Sequence, residues 1–130
     1  MNVVGAGRTF LFAPAPHDKP HLWLVLTDPD GDPAEVIAVM VCTVRAHTDP
    51  TIILQVGDHP FIVHESCVHY STATKLSLTR ILTAQKRGHC QFRDDLSREI
   101  LNKIRRGLLT SPYTVIAIKE YCSTRFRSLP

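Results

Sequence analysis

Short apolar runs, broken by proline, glycine and aspartate, fill the first two thirds of the chain, and one run of helical period follows them. Arg8–Phe12 reads as a short first strand. Pro14, Pro16 and Pro20 make Ala13–Pro20 an exposed loop, the kind of segment that carries functional side chains. His21–Thr27 is β-branched, aromatic and apolar on both faces, as a central strand is. A turn over Asp28–Pro33, with Gly31 suited to a positive φ, leads into a strand over Val36–Val44. Asp49-Pro50 marks a turn into a strand over Thr51–Val56, closed by Gly57-Asp58. Pro60–Ser66 and Cys67–Thr72 are expected to form one long extended segment bent near His64-Glu65.

In Lys75–Leu82, Ser77 and Thr79 alternate with Leu76 and Leu78, which favours a strand, with a loop at Lys86–His89. The one clear helix comes next. Leu96, Ile100, Leu101, Ile104 and Leu108 share a broad face at roughly 100° per residue, with Asp94 or Asp95 as cap and Glu99 in the first turn. Ser111-Pro112 ends it. Tyr113–Ile118 is expected as a last strand, and residues 119–130 as a loose basic tail. Several close strands with one late helix imply a mainly β, α+β fold, a small barrel or sheet rather than βαβ units.

With 130 residues, 44% of them hydrophobic, the chain suits one domain over 1–130 with a core over about 8–118. The longest apolar run, Val36–Cys42, is far short of the roughly 18 residues of a transmembrane span. Met1–Gly7 lacks the charged and apolar pattern of a secretory signal, so a cytoplasmic protein without membrane association is expected. Cys42, Cys67, Cys90 and Cys122 are irregularly spaced and form no C-x-x-C pair, which reads as reduced, mostly buried thiols. The net charge of +3, with seven histidines in addition, permits a polyanionic partner without demanding one. Basic residues concentrate in the C-terminal third, either as a solvated helix face and tail or as a nucleic-acid surface.

The chain contains no P-loop, dinucleotide fingerprint or G-x-S-x-G elbow. His59, His64 and His69 recur every five residues, which on a regular strand alternates their faces and makes a poor metal site. No metal or other cofactor is expected.

Lys19-Pro20 precedes the apolar strand His21–Leu26, Thr43 follows the apolar run Val36–Cys42, and Ser66 opens a strand running into polar and basic residues to Lys75. The leucine-rich segment Leu76–Leu82 and the amphipathic helix Leu96–Leu108 complete the order. This order resembles the MazF/PemK family of toxin–antitoxin ribonucleases over roughly residues 8–109. The resemblance implies a small SH3-like barrel of antiparallel strands with a C-terminal amphipathic helix. It also implies endoribonuclease activity on single-stranded RNA, homodimerisation and neutralisation by a cognate antitoxin protein. In that family an arginine before the proline acts on the scissile phosphate together with the threonine. The corresponding positions here are Lys19 and Thr43, so a lysine stands where the family has arginine.

Metal-free RNA cleavage uses the substrate's 2′-hydroxyl as nucleophile and needs a base, cations at the phosphate and an acid for the leaving oxygen. His21 lies two residues after Lys19 and would share its face on a strand, so Lys19, His21 and Thr43 are the candidate catalytic residues. His69, Ser71 and Lys75 share parity and are candidates for a second, RNA-binding row. The alternatives are a non-catalytic nucleic-acid- or protein-binding module on the same barrel, which the Lys19 departure motivates, and a metal-dependent hydrolase, which the histidine spacing disfavours.

Overall fold

A computed structural model describes residues 4–15 and 17–126; Pro16 of the expected loop and residues 127–130 of the expected tail lie outside the described residues, as do 1–3. Among the described residues are six strands, β1 (Thr9–Phe12), β2 (His21–Val25), β3 (Glu35–Thr43), β4 (Ile53–Leu54), β5 (Ser66–Ser77) and β6 (Cys90–Arg93). Three helices accompany them: α1 (Leu78–Lys86), α2 (Arg98–Thr110) and α3 (Ile116–Arg125). The strands form one antiparallel sheet in the order β4-β5-β3-β2-β1-β6, curled into a half-barrel. The fold is therefore mainly β with helices, as the spacing of apolar runs implies. No helix among the described residues is long and apolar enough to cross a membrane.

Both faces of the sheet are covered, which explains why its central strands are apolar on both sides. On one face Ile37, Val39 and Val41 of β3 join Leu22, Leu24, Val68 and Tyr70 beneath Ile104 and Leu108 of α2. On the other, Val25 and Val36 join Phe10 and Cys90 beneath Ile81 of α1. Helix α2 comes close to the sheet because position 107 is glycine. A Cβ there would collide with the Tyr70 hydroxyl and with Ile52. The Tyr70 hydroxyl instead donates to the Ile104 carbonyl at 2.7 Å, so this buried phenol is hydrogen-bonded.

Strand β5 carries a local irregularity that decides which side chains face which way. Met40 pairs with His69, but Ala38 pairs with Thr74, so β5 holds several extra residues between two regular stretches. The Thr72 hydroxyl fills the gap: it accepts from the Met40 N–H at 3.0 Å and donates to the His69 carbonyl at 2.6 Å. The bulge inverts the parity of everything after it. Lys75 thus lies opposite Ile37, on the α2 side, whereas His69 lies opposite Met40, on the other side.

The structure corrects several expectations. The alternation in Lys75–Leu82 does not make a strand throughout: β5 ends at Ser77, whose hydroxyl caps α1 by accepting from the Arg80 N–H at 3.0 Å. Leu78, Ile81 and Leu82 are then spaced for a helix that packs on the sheet. Strand β6 follows the loop at Lys86–His89, where the sequence pattern marks no strand; Thr51–Val56 pairs only over Ile53–Leu54, and extended pairing begins at Ser66 rather than Pro60. Ser97, not Asp94 or Asp95, caps α2, by accepting from the Ile100 N–H.

The largest correction concerns the C-terminal region. The expected strand Tyr113–Ile118 is a turn followed by the start of α3, and residues 119–126 of the expected loose tail are helix and its cap. Thr114 donates to the Leu108 carbonyl at 2.8 Å, and α3 inserts Cys122 and, just beyond it, Phe126 into the main core. An exposed clamp fastens it: Arg125 pairs with Asp30 at 2.6 Å and lies 3.6 Å from the Tyr121 ring centroid, with Lys75 on that ring at 4.2 Å.

Candidate functional site

The proline-broken loop before β2 delivers Lys19, and β2 opens with His21, because the chain becomes extended only there. Thr43 is the last residue of β3, whose antiparallel course brings its end beside the start of β2. All three line one open groove of about 390 Å³, floored by Leu22 and Val41. The other wall is the segment between β4 and β5, carrying His59, Phe61, Val63 and His64, and Arg93 and Asp94 close the far end. Lys19 and His21 are exposed, and neither side chain has a hydrogen-bond or ion-pair partner among the described residues. Four side chains able to carry positive charge, Lys19, His21, His64 and Arg93, thus share the groove with one carboxylate, Asp94.

His59 is different. It is buried, and its Nδ1 accepts from the Phe61 N–H at 3.0 Å. That bond places the ring proton on Nε2, which donates to the Asp94 carbonyl at 2.6 Å, the same oxygen that receives the Thr9 hydroxyl at 2.8 Å. Both ring nitrogens are occupied, so His59 is a pin between the loop and the end of β6 rather than a proton carrier. The five-residue spacing of His59 and His64 does not separate them, because the chain there is a turn; both face the groove, while His69 in β5 lies outside it.

His69 and Ser71 line a second depression with Arg45, His47 and Tyr113. Lys75 joins neither, being held on the opposite face over Tyr121. The structure therefore brings Lys19, His21 and Thr43 together and does not bring His69, Ser71 and Lys75 into one row. Reasoning from residues missed Arg93, hidden in the general basic excess of the C-terminal third, and Phe61, which no regular pattern marks. Cys42 also borders the groove, and its Sγ lies 3.1 Å from that of Cys67 across the β3–β5 ladder. Burial, reinforced by the neighbouring thiol, pushes Cys42 up to about 12, so it stays protonated at neutral pH and is not a nucleophile here. All four cysteines are free, and Cys67, Cys90 and Cys122 are buried.

Chemically, the groove offers cations, a hydroxyl and an imidazole without a general-base carboxylate oriented on that imidazole. Clustered cations of this kind suit an anionic substrate group such as a phosphodiester. No protein-family model matches the chain, and no curated protein matches it in sequence.

Proposed function

We propose that this protein is a metal-independent endoribonuclease acting on single-stranded RNA, built on a small SH3-like barrel of the MazF/PemK kind. The observation that supports this reading is the convergence of Lys19, His21 and Thr43, from separate segments, in one cation-rich groove. In the proposed reaction the 2′-hydroxyl attacks the adjacent phosphorus and the 5′-oxygen leaves. Lys19 stabilises charge on the phosphate, Thr43 donates a hydrogen bond to a non-bridging oxygen, His21 takes the 2′-hydroxyl proton, and solvent water protonates the departing 5′-oxygen, leaving a 2′,3′-cyclic phosphate. Arg93 supplies a further cation along the strand. The same reading makes the protein a cytoplasmic homodimer restrained by an antitoxin.

Cleavage of a mixed-sequence RNA in EDTA tests it. Lys19→Ala and Thr43→Ala should each lower kcat by about 10²–10³, the usual cost of losing one group that stabilises transition-state charge. Activity that disappears in EDTA, or survives both substitutions, would sink the proposal. A second reading, an RNA-binding module that does not cut, is favoured by one feature: no hydrogen bond among the described residues orients the His21 ring, whereas a working base is usually held by a third group. Tight binding of RNA that stays intact would select that reading.

A further inference from the structure

Exposed large apolar side chains among the described residues fall in two clusters, Val56, Phe61 and Val63 in one and Tyr113, Val115 and Ile116 in the other. Only the first borders the groove. Phe61 is 37% exposed and Val63 74%, while Ile62 between them is buried in the main core. The loop therefore alternates out, in, out, and its exposed side chains are held on a fixed backbone. Three hydrogen bonds fix it: the Phe61 N–H to His59 Nδ1 at 3.0 Å, the Ile62 N–H to the His59 carbonyl at 2.9 Å, and His59 Nε2–H to the Asp94 carbonyl at 2.6 Å. An aromatic side chain kept more than a third exposed by so many constraints, in one groove with Lys19, His21 and Arg93, is not explained by packing alone.

We infer that Phe61 is a stacking shelf for an unpaired nucleobase, that Val63 extends its apolar surface, and that His59 is the positioning residue holding the shelf in place. The inference rests on the reading of the groove as an RNA site and adds how that site selects unpaired strands. A nucleobase presents an apolar π-face on a charged backbone, and the groove pairs an aromatic face with cations. In a duplex both faces of each base are already stacked, so the shelf discriminates against double strands. An apolar protein partner would cover Phe61 and Val63 equally well but would leave the surrounding cations without counter-charges.

The test uses the full chain and a 2′-fluoro oligonucleotide, which lacks the nucleophilic hydroxyl and stays uncut, with 2-aminopurine at successive positions. One position should be quenched on binding. Phe61→Ala should abolish that quenching and weaken binding roughly tenfold, Phe61→Trp should restore both, and Phe61→Leu should restore neither. His59→Gln should lower quenching while leaving the shelf residue present. Equal affinity and quenching in wild type and Phe61→Ala overturn the inference, as does a full rescue by leucine. A drop in sedimentation coefficient on Phe61→Ala with unchanged oligonucleotide affinity also overturns it, showing a contact between copies of the chain instead. Phe61-dependent quenching of an oligonucleotide whose all-ribose counterpart is never cut leaves the shelf standing and removes the nuclease reading.

Discussion

If the groove binds RNA as proposed, Lys19 meets phosphate with a flexible point charge rather than a planar fork. Lysine can neutralise the phosphate but cannot hold two of its oxygens in one plane, so it orients the strand less tightly. Lys19→Arg is therefore expected to raise kcat severalfold with little change in KM, measured as initial rates on a fixed oligoribonucleotide. A lower kcat would mean that the site is built around the lysine. Thr72 works at the same scale without touching the groove. Its hydroxyl replaces a missing rung between β3 and β5. Thr72→Val keeps the shape and loses both bonds, which should cost about 1–3 kcal/mol in urea denaturation. Neither role is legible from the residue alone: lysine before proline is common in loops, and threonine within a strand reads as ordinary β propensity.

Helix α2 is the element whose face is plainest in sequence, yet its closeness to the sheet depends on Gly107. Gly107→Ala improves helix propensity by about 1 kcal/mol but drives a methyl group into Tyr70 and Ile52. The collision should dominate, with a net loss of stability and exposure of the Tyr70 hydroxyl, visible in thermal melts and near-ultraviolet dichroism. Helix α3 is fastened differently. Hydrogen bonds and charge from Arg125, with the Tyr121 hydroxyl, hold the Asp30 carboxyl below its ordinary value. A carboxyl lowered in the folded state stabilises above its unfolded pKa, and that contribution is lost as pH falls through the lowered value. Hydrogen exchange in α3 should therefore be flat above about pH 4, once corrected for intrinsic rates, and loosen below it. Asp30→Asn should remove the step. The helix itself was masked by its β-branched start, Val115 and Ile116, and only Cys122 and Phe126 reaching the core reveal it.

Across the whole molecule, a net charge of +3 is too small to bind nucleic acid by coating alone. On the proposed reading, RNA binding confined to the groove would neutralise phosphate mainly with Lys19 and Arg93, which line it. For two contacts to a single strand, log K against log salt should have a slope near −1.4, about 0.7 per phosphate. A slope several times steeper would show that Arg45, His47 and His69, or the basic residues of α2, take part. The groove lies on the α2 side of the sheet, floored by Leu22 and Val41, while the α1 side carries a separate depression of about 440 Å³ lined by Phe10, Trp23 and Arg87 among others.

Strands β1, β2 and β3 and the amphipathic face of α2 are local patterns, and the sequence alone determined them. Period and punctuation suffice because each reports on one segment and its own buried face. The tertiary structure decided the rest. It made α3 of part of the expected C-terminal strand and tail, since a helix satisfies its own backbone and this one seats Cys122 and Phe126 in the main core. It moved Lys75 away from His69 and Ser71, because a bulge in β5 inverts parity and parity counting assumes a regular strand. It brought Lys19, His21 and Thr43 into one groove and added Arg93 and Phe61, which belong to segments that meet only when the sheet curls. Proximity between distant segments is set by packing and register, and no local pattern carries it.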